Sequence, residues 1–451
     1  MNRLASVLIL FLTFSSCSFD NKTGIWKDAS DLKNIKDKKE KRNVKLKDVF
    51  LDEKIFEEEK DVGFKTKINI DIPLKTKSWT GSYFNLTNNI PNIYYKDKKY
   101  LVFKSSKLSK NYGNNNILFY NNNIISSDNH GAVYIYSLIQ KKKIFQYNFY
   151  KKKFKRYKKE TNITLNDGVI FVSDNLGYIY AIRINSGKLI WAKHFGIPFR
   201  SNIKIINNKI FLANQDNKIY CLRSSDGEKI WEFSTSMTNL KSDFKNNIIV
   251  DKKNNNVFFL NTNGELYSFN FLNQRINWFS NLKIKSFNTD SNLFMSSPLI
   301  LKENKLIVSN GNSLFAYDSY SGSVIWEKNV SILNKGVITQ NNIFLFTENN
   351  LLICLDSNTG EIIWSKNIHN QIKSIDKKKF KNKIKKISDL VIANNKILLF
   401  SKEGYLLSFD YKNGLIISIE KILRAGLKSN PIFVDGQMYL FDNNYKLFQY
   451  E

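Results

Sequence analysis

The residues able to do covalent or metal chemistry are few in this 451-residue chain: Cys17, Cys221, Cys354, His130, His194 and His369 are all its cysteines and histidines. No HExxH, paired cysteine or clustered carboxylate accompanies the histidines, so nothing has metal-ligand spacing. The NDG, SGK and NTG triplets are turn chemistry rather than a phosphate-cradling loop. No GxSxG elbow supplies an acyl-transfer nucleophile. Cys221 and Cys354 occupy one slot of a repeat in different copies, each ten residues before a tryptophan. A disulfide needs Cα atoms within about 7 Å, which copies far apart in an array do not offer. Asp318, Asp356 and Asp410 share another slot, eight residues before the closing position. A single active site needs one such acid, so a repeated one is expected to satisfy a turn. The chain is therefore expected to hold no catalytic, cofactor-binding or metal residue.

The repeat that positions these residues recurs seven times. A hydrophobic strand carries a small residue (Ala181, Cys221, Ser268, Ala316, Cys354, Ser408; Ile135 in the first copy), and the closing position follows by ten. That position is Phe145, Trp191, Trp231, Trp278, Trp326, Trp364 or Ser418. Glycine stands four before it, except at Lys141 and Gln274, where a turn needing positive φ would otherwise clash with a Cβ. Apolar runs such as IFLFT and LLICL are strand signals. The mean period, (418−145)/6, is about 45 residues, with no helical stretch long enough to cover a parallel sheet. Four short antiparallel strands at that period describe a propeller blade. The closing segment QMYLFDNNYKLFQYE begins an eighth blade that lacks its outer strand. The expected fold is an all-β, eight-bladed β-propeller closed by an N-terminal strand drawn from residues 44–80, with KLKDVFLDE and KTKINIDI as candidates. An open solenoid is the alternative, but it needs polar capping repeats.

Sixty-nine basic against forty acidic residues give a formal net charge of +29. The excess is mostly lysine interleaved with asparagine, without an Arg-rich face or a nucleic-acid motif. An AT-rich genome accounts for that vocabulary, so no nucleic-acid partner is expected; attraction to anionic lipid or an acidic partner stays open. At the N-terminus, Arg3 is followed by an apolar run from Ala5 to Phe14, too short to span a bilayer, and then by Ser15, Ser16 and Cys17. This resembles a lipobox, which implies acylation of Cys17 after removal of residues 1–16 and attachment to the outer membrane. An ordinary signal peptide with an incidental cysteine is the alternative. Residues 17–77, rich in Lys, Asp and Glu, read as a tether, leaving 78–451 for the propeller.

From about residue 117 onward, forms such as Tyr-x-x-Asp-x-x-x-Gly-x-x-x-Trp resemble the PQQ-like propeller repeat. Two branches share it. Quinone-dependent dehydrogenases hold the cofactor and a Ca²⁺ on the ring axis and stack the quinone on a disulfide of adjacent cysteines, which this chain lacks. The BamB family, a lipoprotein subunit of outer-membrane β-barrel assembly, is similar in length, tether and lipobox, and in the segment SKEGYLLSFDYKNGLIISIEK. That resemblance implies a non-enzymatic scaffold without cofactor, monomeric within the complex, on the periplasmic face of the outer membrane. Its partners would be BamA-type POTRA domains. The family's Leu-x-Leu-Arg loop falls on Thr238–Lys241, implicating Leu240 and Lys241. Its Asp-x-Asp contact falls on Leu293-Phe294-Met295, with Asp290 the nearest acid. A PQQ-dependent oxidoreductase and a glycan-binding lipoprotein are the alternatives; the latter requires an aromatic-lined axial cleft.

Overall fold

The computed structural model describes residues 18–19, 26–27, 56–63, 66–98, 100–150, 154–237, 244–283, 293–332, 334–374, 384 and 386–451. The chain divides into two units, Met1–Glu58 and Glu59–Glu451. In the first, Ser18–Phe19 pairs antiparallel with Trp26–Lys27. The second is an eight-bladed β-propeller of eight four-stranded antiparallel sheets. Its one helix among the described residues is the single short segment Ile368–Ser374.

Seven blades are built from consecutive strands. In blade 5, for example, Ile300–Lys302, Lys305–Ser309, Leu314–Asp318 and Val324–Lys328 pair in chain order from the axis outward. The ten-residue spacing has a direct structural reading. The small residue lies opposite the closing residue across the third and outer strands: Ala181 faces Trp191, Cys221 faces Trp231 and Cys354 faces Trp364. A register shift follows immediately in each case, a bulge that twists the outer strand away from the blade plane. A small side chain there leaves room for the indole.

Closure differs from expectation in the strand used. The outer strand of blade 8 is Leu101–Lys107, antiparallel to Lys446–Tyr450, and not a segment of 44–80. Residues 59–61 instead cover the outer edge of blade 6: Lys60 and Ser365 exchange backbone hydrogen bonds of 3.0 and 2.9 Å, and Lys366 pairs with Asp61.

Residues 76–96 form a hoop inside the ring that bonds to every blade. Trp79 exchanges two 2.8 Å backbone bonds with Phe119 of blade 1, and Leu165 of blade 2 donates to Thr80 O. Lys204 of blade 3 donates its ammonium to Asn85 O and Asn88 Oδ1, 2.6 Å each. Val250 and Leu301, of blades 4 and 5, donate to Leu86 O and Thr87 O. The Asn89 carboxamide exchanges two bonds of 2.9 Å with Ile338 of blade 6. Ile93 pairs with Ile392 and Asn394 of blade 7, while Thr76 and Lys96 bracket Asp435 and Gly436 of blade 8. Asparagine suits this path because one side chain both donates and accepts where the backbone cannot keep strand register.

Candidate functional site

The residues singled out by type resolve into fold-building parts. Cys221 and Cys354 are buried free thiols, and burial pushes the Cys221 thiol up to about 12, which makes it a packing residue rather than a nucleophile. Each acid of the repeated row closes its own turn. Asp318 Oδ1 accepts from the amides of Tyr320 and Ser321, and Asp356 Oδ1 from Asn358 and Thr359; Asp410 Oδ1 accepts from Lys412. His130 sits in a turn capped by Asp128, and the His194 ring lies 4.3 Å from that of Tyr178. His369 falls in the short helix Ile368–Ser374. Among the described residues no group of three or more His, Cys, Asp or Glu is placed to hold a metal.

The repeat glycines join neighbouring blades. A Cβ on Gly360 would lie 2.7 Å from the Trp326 ring, and one on Gly414 2.4 Å from Trp364. The same indoles donate across the seam, Trp326 to Ser357 O at 3.0 Å and Trp364 to Tyr411 O at 3.2 Å. Thus Phe145, Trp191, Trp278, Trp326 and Trp364 each pack on the glycine turn of the following blade.

The residues expected to bind a partner, Leu240, Lys241 and Asp290, lie outside the described residues, as does the lipidation candidate Cys17. Their loops connect blades 3 to 4 and 4 to 5, and the described ends of those loops converge. Phe244 and Phe294 meet edge to face with centroids 5.5 Å apart. Phe294 caps the turn at Gly264, where a Cβ would meet it at 2.7 Å and φ is +81°. Beside these buried anchors Met237, Leu293 and Met295 are exposed, Met237 by 68%. The described ends of the two loops thereby meet, with apolar side chains left in solvent, the composition of a docking surface.

On the same face, where the inner strands begin, the axis opens as a funnel of about 630 Å³ with Ser82 and Tyr83 of the hoop among its lining. Its wall is asparagine and lysine, and Glu160 is its only carboxylate. Lys245 holds that acid at 2.7 Å and keeps its carboxyl below the usual range. Burial, with Asp389 nearby, pushes the Tyr83 phenol up to about 12. Burial also holds Asp389 above and Lys335 below their ordinary ranges, each offsetting part of the other's shift. A quinone with Ca²⁺ does not fit this axis. The hoop occupies its other end, the one acid of the funnel is spent on a lysine, and the cysteines form no adjacent pair. A hard divalent cation needs several oxygen donors with compensating charge.

The funnel is not legible in the sequence because its Asn and Lys match the background composition. The usable signal is position: Asn114, Thr161 and Asn247 all stand at or near the starts of inner strands.

A family model described as outer membrane protein assembly factor BamB matches residues 148–366. No curated protein matches the sequence. Among solved structures, BamB from Moraxella catarrhalis is similar with a TM-score of 0.62 at 13% identity, covering 78% of this chain and 99% of that one. A quinohemoprotein alcohol dehydrogenase from Comamonas testosteroni gives 0.60 at 10% identity, covering 82% and 77%. A europium-containing methanol dehydrogenase gives 0.58 at 12%, covering 81% and 89%. At these identities the likeness is one of fold. Repeat, blade register and the match over residues 148–366 make this chain an eight-bladed β-propeller with PQQ-like repeats, similar over that span to the family described as outer membrane protein assembly factor BamB.

Proposed function

We propose that this protein is a non-catalytic scaffold subunit of outer-membrane β-barrel assembly. In this reading it binds BamA-type POTRA domains through the paired loops after blades 3 and 4, and is anchored to the outer membrane by lipid on Cys17. The observation that carries the reading is the convergence of those loops on Phe244 and Phe294, in a chain matching the BamB-described model. The exposed Met237, Leu293 and Met295 suit it, because an apolar centre desolvates readily while a polar rim sets orientation. Where the family carries two acids, this chain has Leu293 and Met295, so its contact would rest more on apolar burial than on charge.

The quinoprotein alternative is disfavoured by the donor set of the axis described above rather than by fold. The test is co-purification of BamA with the full acylated chain from solubilised outer membrane. Leu293→Asp with Met295→Asp is expected to weaken recovery at least tenfold, about 1.4 kcal/mol, with unchanged circular dichroism. Leu240→Asp with Lys241→Glu tests the other loop in the same assay. Failure of the unmutated protein to recover BamA overturns the reading.

A further inference from the structure

The funnel has binding capacity that neither the fold nor the loop pair uses. Several of its carboxamides are committed: Asn202 exchanges two bonds with Ile248, and Asn246 bonds Asn214 O and the Thr262 amide. Others are free. The side chains of Asn115, Asn116, Asn162 and Asn430 make no hydrogen bond among the described residues, and Asn129 Oδ1 is buried without a partner. A free carboxamide presents donors and an acceptor together, the pattern that takes up adjacent hydroxyls.

Charge is uncommitted too. Lys428 is partly buried on the funnel wall; burial and repulsion by Lys402 hold its ammonium below the usual range, and Glu160, its opposing charge, belongs to Lys245. Lys158, exposed at the same space, is in no ion pair among the described residues. A partly desolvated ammonium such as that of Lys428, without a counter-ion of its own, favours an incoming anion. At the rim, Tyr112 is 72% exposed, and its ring offers an apolar face for a flat ligand. The volume lies within the range of small-molecule sites, about 300–1,000 Å³.

We propose that the axial funnel binds an anionic sugar, its hydroxyls on Asn115, Asn116, Asn129 and Asn430 and its phosphate or carboxylate on Lys158 and Lys428. Hydroxyl recognition by carboxamides separates this ligand from a simple anion, and the lysines separate it from a neutral sugar. None of the six residues assigned to the ligand belongs to the loop pair, so the proposal holds whether or not BamA is the partner.

Calorimetric titration of the full chain with glucose 6-phosphate, glucuronate, glucose and inorganic phosphate tests it. At least one anionic sugar should bind tenfold or more tightly than both glucose and inorganic phosphate, and the better of the two identifies the anionic group. Lys428→Met and Asn430→Ala should each weaken that binding at least tenfold without moving the melting temperature, whereas Lys328→Met on the outer strand of blade 5 should leave it unchanged. Failure of both anionic sugars to bind more tightly than glucose and inorganic phosphate, no binding of any probe, or equal loss in Lys328→Met overturns the proposal.

Discussion

Lys204 is only 5% exposed, its ammonium bonded to two neutral oxygens of the hoop and, among the described residues, to no carboxylate. Burial lowers its amine to about 7 from an ordinary 10.5. Between those values the unfolded chain binds the proton that the folded chain releases, so stability rises with pH across that window. Below about 7 both states are charged and the cost of burying the ammonium is carried in full. Lys204→Met is expected to remove this slope, at most about 1.4 kcal/mol per pH unit. Denaturant melts of both proteins at pH 6, 7.5 and 9 check it; parallel slopes would show that the amine titrates as in solvent. The sequence made the roles of Cys221, Cys354 and the Asp row legible, because a slot repeated in several blades identifies itself as structural. Lys204 and the funnel asparagines were not legible. Their residue types match the background, and only their place at the axis distinguishes them.

At the scale of the element, the departures from the repeat have causes in the seams between blades. Ser418 stands where tryptophan is usual because the outer strand of blade 8 is Leu101–Lys107, so the glycine turn that a tryptophan would clasp does not exist there. Lys141 replaces glycine for the reciprocal reason: blade 8 sends no closing tryptophan onto blade 1. Gln274 is different. It holds φ at +61° while Trp231 Nε1 is buried without a partner. Gln274→Gly is expected to be neutral or stabilising by about 1 kcal/mol, since it relieves a left-handed residue and lets the indole settle. Gly360→Ala is expected to cost about 2–3 kcal/mol, because φ is +69° and the new Cβ meets Trp326 at 2.7 Å. Thermal melts of the two variants should move in opposite directions or at least differ by that amount. Strand existence and register were readable because Trp and Gly recur at fixed spacing. The identity of the closing strand was not, because KTKINIDI alternates more cleanly than LVFKSSK. Pairing with Lys446–Tyr450 decides the matter through two register shifts that no period-two pattern announces.

For the whole molecule, ring closure and axial filling both depend on residues far apart in sequence; the Thr76 hydroxyl donates to Phe433 O across 357 positions. Such contacts form late, because the loop entropy is lost before they are gained. A chain beginning at residue 98 keeps the outer strand of blade 8 but loses the hoop, and should melt at a markedly lower temperature. A synthetic peptide of residues 72–97 should restore most of that loss in trans, since its bonds reach all eight inner strands. No restoration would show that the hoop follows closure rather than contributing to it. The hoop is also a gauge. Between Trp79 and Ile93 the backbone and its asparagines meet the inner strands of blades 1 to 7 one after another. A ninth copy of the unit, harmless in an open stack of repeats, would leave one inner strand facing no partner, and a seventh-blade deletion would leave hoop residues without a wall. The number of blades is thus set by twenty-odd residues that belong to no blade.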